Sequence, residues 1–360
     1  MTAPVLESQV LDALRVVRDP DLGRDIVSLG FVKDIRVAKG TVAFSIELTT
    51  PACPVREQMQ RQARQAVAAL PGVGAVEVKL TSRVRSSPGP VKEQLIPTVR
   101  NVVPVASGKG GVGKSTVTVN LALALARTGA RVGIMDADVY GPSVPTLMGV
   151  AELPKPTADG IVPAEQYGVK LISMGFFLRE DDAIIWRGPM LHKTVQHFLG
   201  NVQWGELDYL LVDLPPGTGD VQLTLCQSIP LTGAAVVSTP QDVALKVAQK
   251  AIAMFTQLNT PVLGLIENMA YYVCPHCGSR DEVFGSGGTR RAAERLAIPF
   301  LGEIPLATEI RVRSDEGRPV TLDPASPFGD AYLAVAERLA AQVSIRNMQR
   351  ELEPLVQIRY

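Results

Sequence analysis

Residues 101–120, NVVPVASGKGGVGKSTVTVN, place an apolar run directly against a glycine-rich loop, and the loop against a helix-forming segment. Gly108 and Gly113 bracket four residues, and Lys114 and Ser115 complete the G-x-x-x-x-G-K-S/T pattern of a phosphate-binding loop. Such a loop works only between a strand and a helix. The strand brings the chain to the sheet edge, and the helix N-terminus offers unpaired N–H groups and a positive dipole to phosphate. The candidate nucleotide loop is Gly108, Lys109, Gly110, Gly111, Val112, Gly113, Lys114, Ser115 and Thr116. Lys114 is expected at the β- and γ-phosphates of ATP, and the Ser115 hydroxyl at Mg²⁺. Lys109 is one lysine more than the pattern needs.

The rest of the chain from Asn101 keeps the same rhythm. The short apolar runs RVGIMDAD, YLLVDLPP, GAAVVSTP and PVLGLIEN alternate with helical segments, which predicts α/β architecture: a P-loop NTPase with a mainly parallel sheet covered on both faces. Each run ends in polar, Gly or Pro residues, where an open sheet of this kind places its site. Asp213 ends one run as a Walker-B-like carboxylate for Mg²⁺. Asp136 and Asp138 end another, where a carboxylate can position an attacking water. ASPFGDAYLAVAERLAAQV reads as a late amphipathic helix packed on the sheet.

Before Asn101 the pattern is different. Leu6, Val10, Leu14 and Val17 have helical spacing over residues 4–18, and DPDLGRD breaks that helix. Two strands are expected around Lys39 and Gly40, then a helix from about Pro54 to Ala69, then the strand AVEVKLTS. These elements make a small α+β domain over 1–85. The Ser- and Pro-rich stretch 86–100 reads as a linker, 101–345 as the ATPase domain and 346–360 as a C-terminal tail.

Charge and apolar content narrow the partners. Lysine plus arginine equals aspartate plus glutamate at 36 each, so no overall field draws the chain to nucleic acid or an acidic membrane. No apolar window is long enough for a transmembrane helix, and the N-terminus lacks the pattern of a secretory signal. Four cysteines in 360 residues suit a reducing, cytoplasmic interior better than a disulfide scaffold.

Two of those cysteines, Cys274 and Cys277, form a C-x2-C turn in YYVCPHCGS. That spacing lets two thiolates grip one metal ion or cluster. A tetrahedral site needs four ligands, and two subunits meeting on a dyad supply them economically. Zinc suits the same thiolates, and a redox couple uses the same spacing. His276 reads as a spacer, Cys226 as a buried apolar residue, and His192 and His197 as structural.

GKGGVGKST resembles the deviant Walker A motif of the family that includes MinD, ParA, nitrogenase iron protein and the arsenite ATPase. The resemblance implies that Lys109 is the signature lysine, reaching the phosphates of a partner across a nucleotide-sandwich homodimer. VASGKGGVGKST, DADVYGPSVPTLMG, RGPMLHKTVQHFL, DYLLVDLPPGTGD, STPQDVALKVAQKAI and IENMAYYVCPHCG are together similar to the Mrp/ApbC type of iron–sulfur carrier ATPase. This implies a 4Fe–4S cluster bridged by Cys274 and Cys277, an adenine contact at Asn268, the hydrolytic water at Asp138 and Mg²⁺ at Asp213. It also implies partners that donate clusters and apoproteins that accept them. SLGFVKDIRV and IELTTPACPVREQM resemble the small MIP18-like domain of iron–sulfur assembly proteins, which carries one cysteine at the position of Cys53. A thiolate there would be favoured by the helix that follows. A MinD- or ParA-like positioning ATPase and a zinc-bridged ATPase scaffold are the rival readings.

Overall fold

Lys39 and Gly40 turn the chain between β1 (Val32–Ala38) and β2 (Thr41–Leu48) with φ values of 47° and 80°. Two residues in the left-handed region match the twist of the flanking strands, which is why so short a loop closes this hairpin. β2 pairs antiparallel with β1 and parallel with β3 (Ala75–Ser82), and α2 (Arg56–Ala68) makes the crossover. Met59, Ala63 and Val67 recur at four-residue spacing on α2 and are buried together with Phe44, Ile46 and Leu48 of β2. α1 (Glu7–Leu14) is shorter than its periodicity predicts. Past it, the Asp19 carboxylate accepts the N–H groups of Asp21 and Leu22 and bends the backbone out of the helix.

The computed structural model describes residues 5–86, 95–158, 160–177, 188–228 and 231–352. The chain divides into two units, residues 1–85 with 344–360, and residues 86–343. The stretch expected as a tail from 346 therefore groups with the small unit. Met348 joins its core, and the Asn347 side-chain amide donates to the Arg85 carbonyl at 3.0 Å. Most of the expected linker (87–94) and the last residues (353–360) lie outside the described residues.

The large unit is a nine-stranded sheet in the order β11-β10-β9-β4-β8-β5-β7-β6, with β12 also paired to β10. Its strands are β4 (Val99–Ser107), β5 (Val132–Asp136), β6 (Ala164–Gln166), β7 (Val169–Ser173), β8 (Leu207–Asp213), β9 (Ala234–Ser238), β10 (Val262–Val273), β11 (Arg280–Asp281) and β12 (Phe300–Leu306). The pairs β10–β11 and β6–β7 are antiparallel and the rest are parallel. β5, β8 and β9 are buried at every residue, so both faces of the sheet centre are covered. That is why these strands read as unbroken apolar runs. The expected doubly covered, mainly parallel sheet with a preceding α+β domain is the architecture observed.

The helices are α3 (Lys114–Arg127), α4 (Val144–Met148), α5 (Gly188–Gly200), α6 (Asp220–Ser228), α7 (Asp242–Gln257), α8 (Gly288–Leu296), α9 (Thr308–Asp315) and α10 (Pro327–Leu352). Four strands were not legible beforehand. β6 and β11 are too short to show a period, β7 is a five-residue run beside a turn, and β12 contains Gly302 and Pro305. β10 also runs farther than PVLGLIEN, carrying the chain straight to the cysteine turn.

β10 and β12 approach closely at Gly264. A Cβ there would lie 2.5 Å from Leu301 Cγ and 2.8 Å from the Pro299 carbonyl oxygen. Gly264→Ala is therefore expected to destabilise the large unit by about 1–3 kcal/mol through overpacking. Urea unfolding measures it, and an unchanged midpoint would contradict this packing.

Candidate functional site

Register brings the site together. In the parallel ladders Asp213 of β8 is paired with Asp136 of β5 and with Val105 of β4, and Asp136 is paired with Ser173 of β7. The carboxyl ends of four strands thus lie in one row beside the start of α3. Asp213 is fully buried. Its Oδ2 accepts from Lys114 Nζ at 2.7 Å and from the Ser115 hydroxyl at 2.6 Å, and its Oδ1 accepts from the Thr118 hydroxyl at 2.7 Å. Lys114 and Thr118 are one turn apart, so a single helix face delivers all three donors. These three donors satisfy a carboxylate whose burial without partners would be costly.

Asp138 Oδ2 lies 3.8 Å from Lys114 Nζ, and its other oxygen accepts the N–H groups of Tyr140 and Gly141. Burial pushes its carboxyl up, and the Lys114 ammonium opposes that. Asp136 has a different position. Its oxygens accept the N–H groups of Asp138 and Val144 and the Ser173 hydroxyl. It therefore pins both ends of the loop that carries Asp138, and it is not among the residues lining the phosphate pocket. Burial, followed by the nearby Asp213 charge, pushes the Asp136 carboxyl up to about 7.

The pocket, of about 270 Å³, is lined by residues 109–116 with Ser107, Asp138, Ser143, Leu147 and Pro216. Gly108 enters the loop from β4. Gly113 has a φ of 77°, and a Cβ on it would collide with the Asn268 side-chain amide. Only glycine fits there. The hard oxygens of Ser115 and Asp213, beside two further aspartates, fit a divalent cation such as Mg²⁺. The Lys109 ammonium reaches Gln241 Oε1 at 3.4 Å, the same oxygen that accepts the Thr239 hydroxyl.

A second pocket, of about 300 Å³, shares Gly113, Thr116 and Leu147 with the first and is otherwise lined mainly by apolar groups, including Met269, Pro305, Leu306 and Ala307. Asn268 borders it. Its amide donates to the Val112 carbonyl at 2.8 Å, which ties β10 to the loop. An apolar slot opening beside a phosphate cradle has the shape a nucleoside needs.

Cys274 and Cys277 sit in the turn between β10 and β11. Cys274 N–H donates to the Ser279 carbonyl, and Gly278 N–H donates to the Cys274 carbonyl, both at 2.9 Å. Cys274 is partly buried and Cys277 exposed. Hydrogen bonds from Ser279, whose hydroxyl lies 3.0 Å from the sulfur, and then from Cys274 lower the Cys277 thiol below its ordinary range. Among the described residues no group of three or more His, Cys, Asp or Glu side chains is assembled for a metal ion. His276 is exposed in the same turn.

Cys53 lies in the small unit's core, two residues ahead of the cap of α2, and is 8% exposed. Cys226 packs against the large unit's core, and burial pushes its thiol up to about 11. His197 Nδ1 meets the Asn201 amide at 2.6 Å. The His192 side chain lies outside the described residues. Among the described residues no helix is long and apolar enough to cross a membrane.

Residues 98–340 match the family model described as NUBPL iron-transfer P-loop NTPase, and residues 7–79 match the iron–sulfur cluster assembly protein model. The chain is 47% identical over 354 residues to an iron–sulfur cluster carrier protein of Deinococcus radiodurans, covering 97% of this chain and 99% of that one. A Synechocystis protein of the same description is 45% identical over 343 residues, covering 93% and 97%. The chain belongs to the iron–sulfur cluster carrier family of P-loop NTPases. Among solved structures, the nucleotide-binding protein of Archaeoglobus fulgidus in complex with ADP is 43% identical with a TM-score of 0.58. That likeness covers 65% of this chain and 93% of that one. The Mrp/ApbC resemblance and the MIP18-like N-terminal domain are thereby borne out.

Three residues of this carrier-family site escaped the motifs. Thr118 was detectable from its one-turn spacing to Lys114. Ser173 and Gln241 carry no sequence signal, because β7 and the start of α7 reach the site only through the fold.

The environment of Asp136 makes the large unit's stability depend on pH. An unfolded carboxyl ionises near 3.8, whereas Asp136 keeps its proton to about 7 in the fold. Between those values the native state holds more protons, so this residue's contribution weakens as pH rises. Asp136→Asn is expected to gain stability relative to the parent across that window. A difference that stays flat with pH in paired urea titrations would mean that Asp136 is ionised in the fold.

Proposed function

We propose that the protein binds and hydrolyses ATP with Mg²⁺ and, as a homodimer, carries a 4Fe–4S cluster held by Cys274 and Cys277 of each subunit. The cluster is cargo, received from a scaffold and passed to apoproteins in the reducing cytoplasm. The observation that carries this reading is the cysteine turn. Two thiols project from a short hairpin, and the exposed one is held toward its thiolate, the form that ligates iron. One subunit offers half a ligand set, and a second copy completes it.

At the nucleotide site, the loop N–H groups and Lys114 bind and orient the phosphates. Ser115 and Asp213 would hold Mg²⁺, which neutralises phosphate charge when bound. Asp138 orients the attacking water. Asn268 and the apolar slot beside Gly113 receive the adenine. Lys109 adds positive charge where the transferring phosphoryl group becomes more anionic, and it does so from the partner subunit. Its contact with Gln241 is long and weak enough to be exchanged for such a role. Cys53, in the small unit, is an accessory thiol for cluster handling.

Anaerobic reconstitution tests the cargo reading. The parent dimer should hold about four iron and four sulfide, and a Cys274→Ala, Cys277→Ala double variant should hold none. Full retention by that variant, or zinc in place of iron in protein purified without oxygen, would overturn it. For the nucleotide site, Lys109→Ala should lower the ATP turnover rate about 10³-fold while nucleotide affinity stays within a few-fold. Parallel loss of affinity would assign Lys109 to its own subunit's phosphates instead.

A further inference from the structure

The cysteine turn is closed by its own backbone bonds, Cys274 N–H to the Ser279 carbonyl and Gly278 N–H to the Cys274 carbonyl, but little backbone ties it to the sheet. β11 contributes two residues, paired only with Tyr272 and Val273 of β10. Side chains tie the hairpin to β12. The Arg280 guanidinium lies over the Tyr271 ring, 3.5 Å from its centroid, and reaches Glu303 Oε2 on β12 at 3.6 Å. Arg290 of α8 donates to the other Glu303 oxygen at 3.0 Å. Exposed ion pairs of this kind add little to global stability. Gathered around one carboxylate and one ring face, they instead fix the direction in which a weakly paired hairpin points.

Both strands joined by this clamp lead back to the nucleotide pockets. On β10, Asn268 is tied to the phosphate loop through the Val112 carbonyl, and Met269 lines the apolar pocket. Met269 has a φ of 55°, a left-handed conformation that costs a non-glycine residue energy. It lies where the β10–β12 register shifts, between Asn268 and Tyr272. On β12, Pro305 and Leu306 follow Glu303 and line the same pocket. A strained bulge therefore separates pocket from cysteines along one strand, and the clamp joins the cysteine arm to the other strand.

We propose that Arg280 and Glu303 are positioning residues that make the cysteine hairpin follow β10 and β12, so that nucleotide in the pocket changes the accessibility of the Cys277 thiol. The proposal rests on the reading that these pockets bind nucleotide and that these cysteines bind the cargo. Strand ends that form a pocket wall shift when it fills, and a hairpin clamped to both strands shifts with them. Without the clamp, the hairpin's backbone bonds reach only β10, and the hairpin is free to ignore a shift of β12.

The test uses the full-length chain without cluster and reads Cys277 alkylation by iodoacetamide with and without Mg-ADP, followed by peptide mass. ADP should change the parent rate about fivefold or more, the lower end of ordinary coupling between sites. Arg280→Ala and Glu303→Gln should reduce that change to less than about twofold while ADP affinity stays the same. Arg280→Lys keeps the charge on Glu303 and should recover part of the response. No response in the parent, an undiminished response in both clamp variants, or loss of ADP binding in those variants overturns the proposal. Because the readout is thiol chemistry, its failure is distinct from a failure of the cargo reading, which iron and sulfide counts decide.

Discussion

Asp213 is fully buried at the end of β8 and accepts hydrogen bonds from Lys114, Ser115 and Thr118, so the first turn of α3 is held against the sheet by one carboxylate. Removing one partner from a buried pair of this kind typically costs about 3–5 kcal/mol, because the other charge stays buried and unpaired. The site's order therefore follows from this contact. The phosphate loop must span the fixed distance between β4 and that helix turn. Asp136, paired in register with Asp213, must sit close enough to feel its charge. Asp138, two residues on, then comes within 3.8 Å of the same ammonium.

The cysteine turn is built on opposite principles. The carboxylate–lysine cluster beneath the phosphate loop is buried, multiply hydrogen-bonded and set at the ends of central strands. Cys274 and Cys277 stand on a hairpin with two paired residues and an exposed tip. Local stability in a fold ranges from almost nothing at such tips to the global value in core strands. A group that binds phosphate with directed N–H donors needs the rigid end of that range. A thiol pair on an exposed turn is open to solvent and to partners, as the proposed cargo role requires. β10 runs from one regime toward the other, from buried Ile266 and Asn268 to Val273, where the turn that carries exposed Cys277 begins.

Much of this was legible in residues 101–120. The glycine spacing required a strand before the loop and a helix after it, and β4 and α3 are there. The unbroken apolar runs pointed to the covered strands β5, β8, β9 and the first half of β10. Alternation in TVAFSIEL and the Lys39, Gly40 pair placed the small unit's hairpin. Four strands were hidden because short or glycine- and proline-bearing segments take strand geometry from their neighbours. β12 exists as a strand because β10 offers it a ladder. Asp136 was legible as a strand-end carboxylate, yet its work of pinning the Asp138 loop to Ser173 depends on the placement of β7.

By itself the sequence determined the phosphate loop, the parallel sheet class and the pair of thiols, because each rests on local spacing that chain geometry enforces, while the carrier family came from the resemblance of its motifs. Only the tertiary structure decided which carboxylate meets Lys114, which donors Asp136 accepts, and that Arg280, Tyr271 and Glu303 converge beside the cysteines. Those contacts join residues from separate elements across ladders whose register no local pattern specifies. The parallel register and strand order decide them, and these are set by how the whole chain buries its apolar runs.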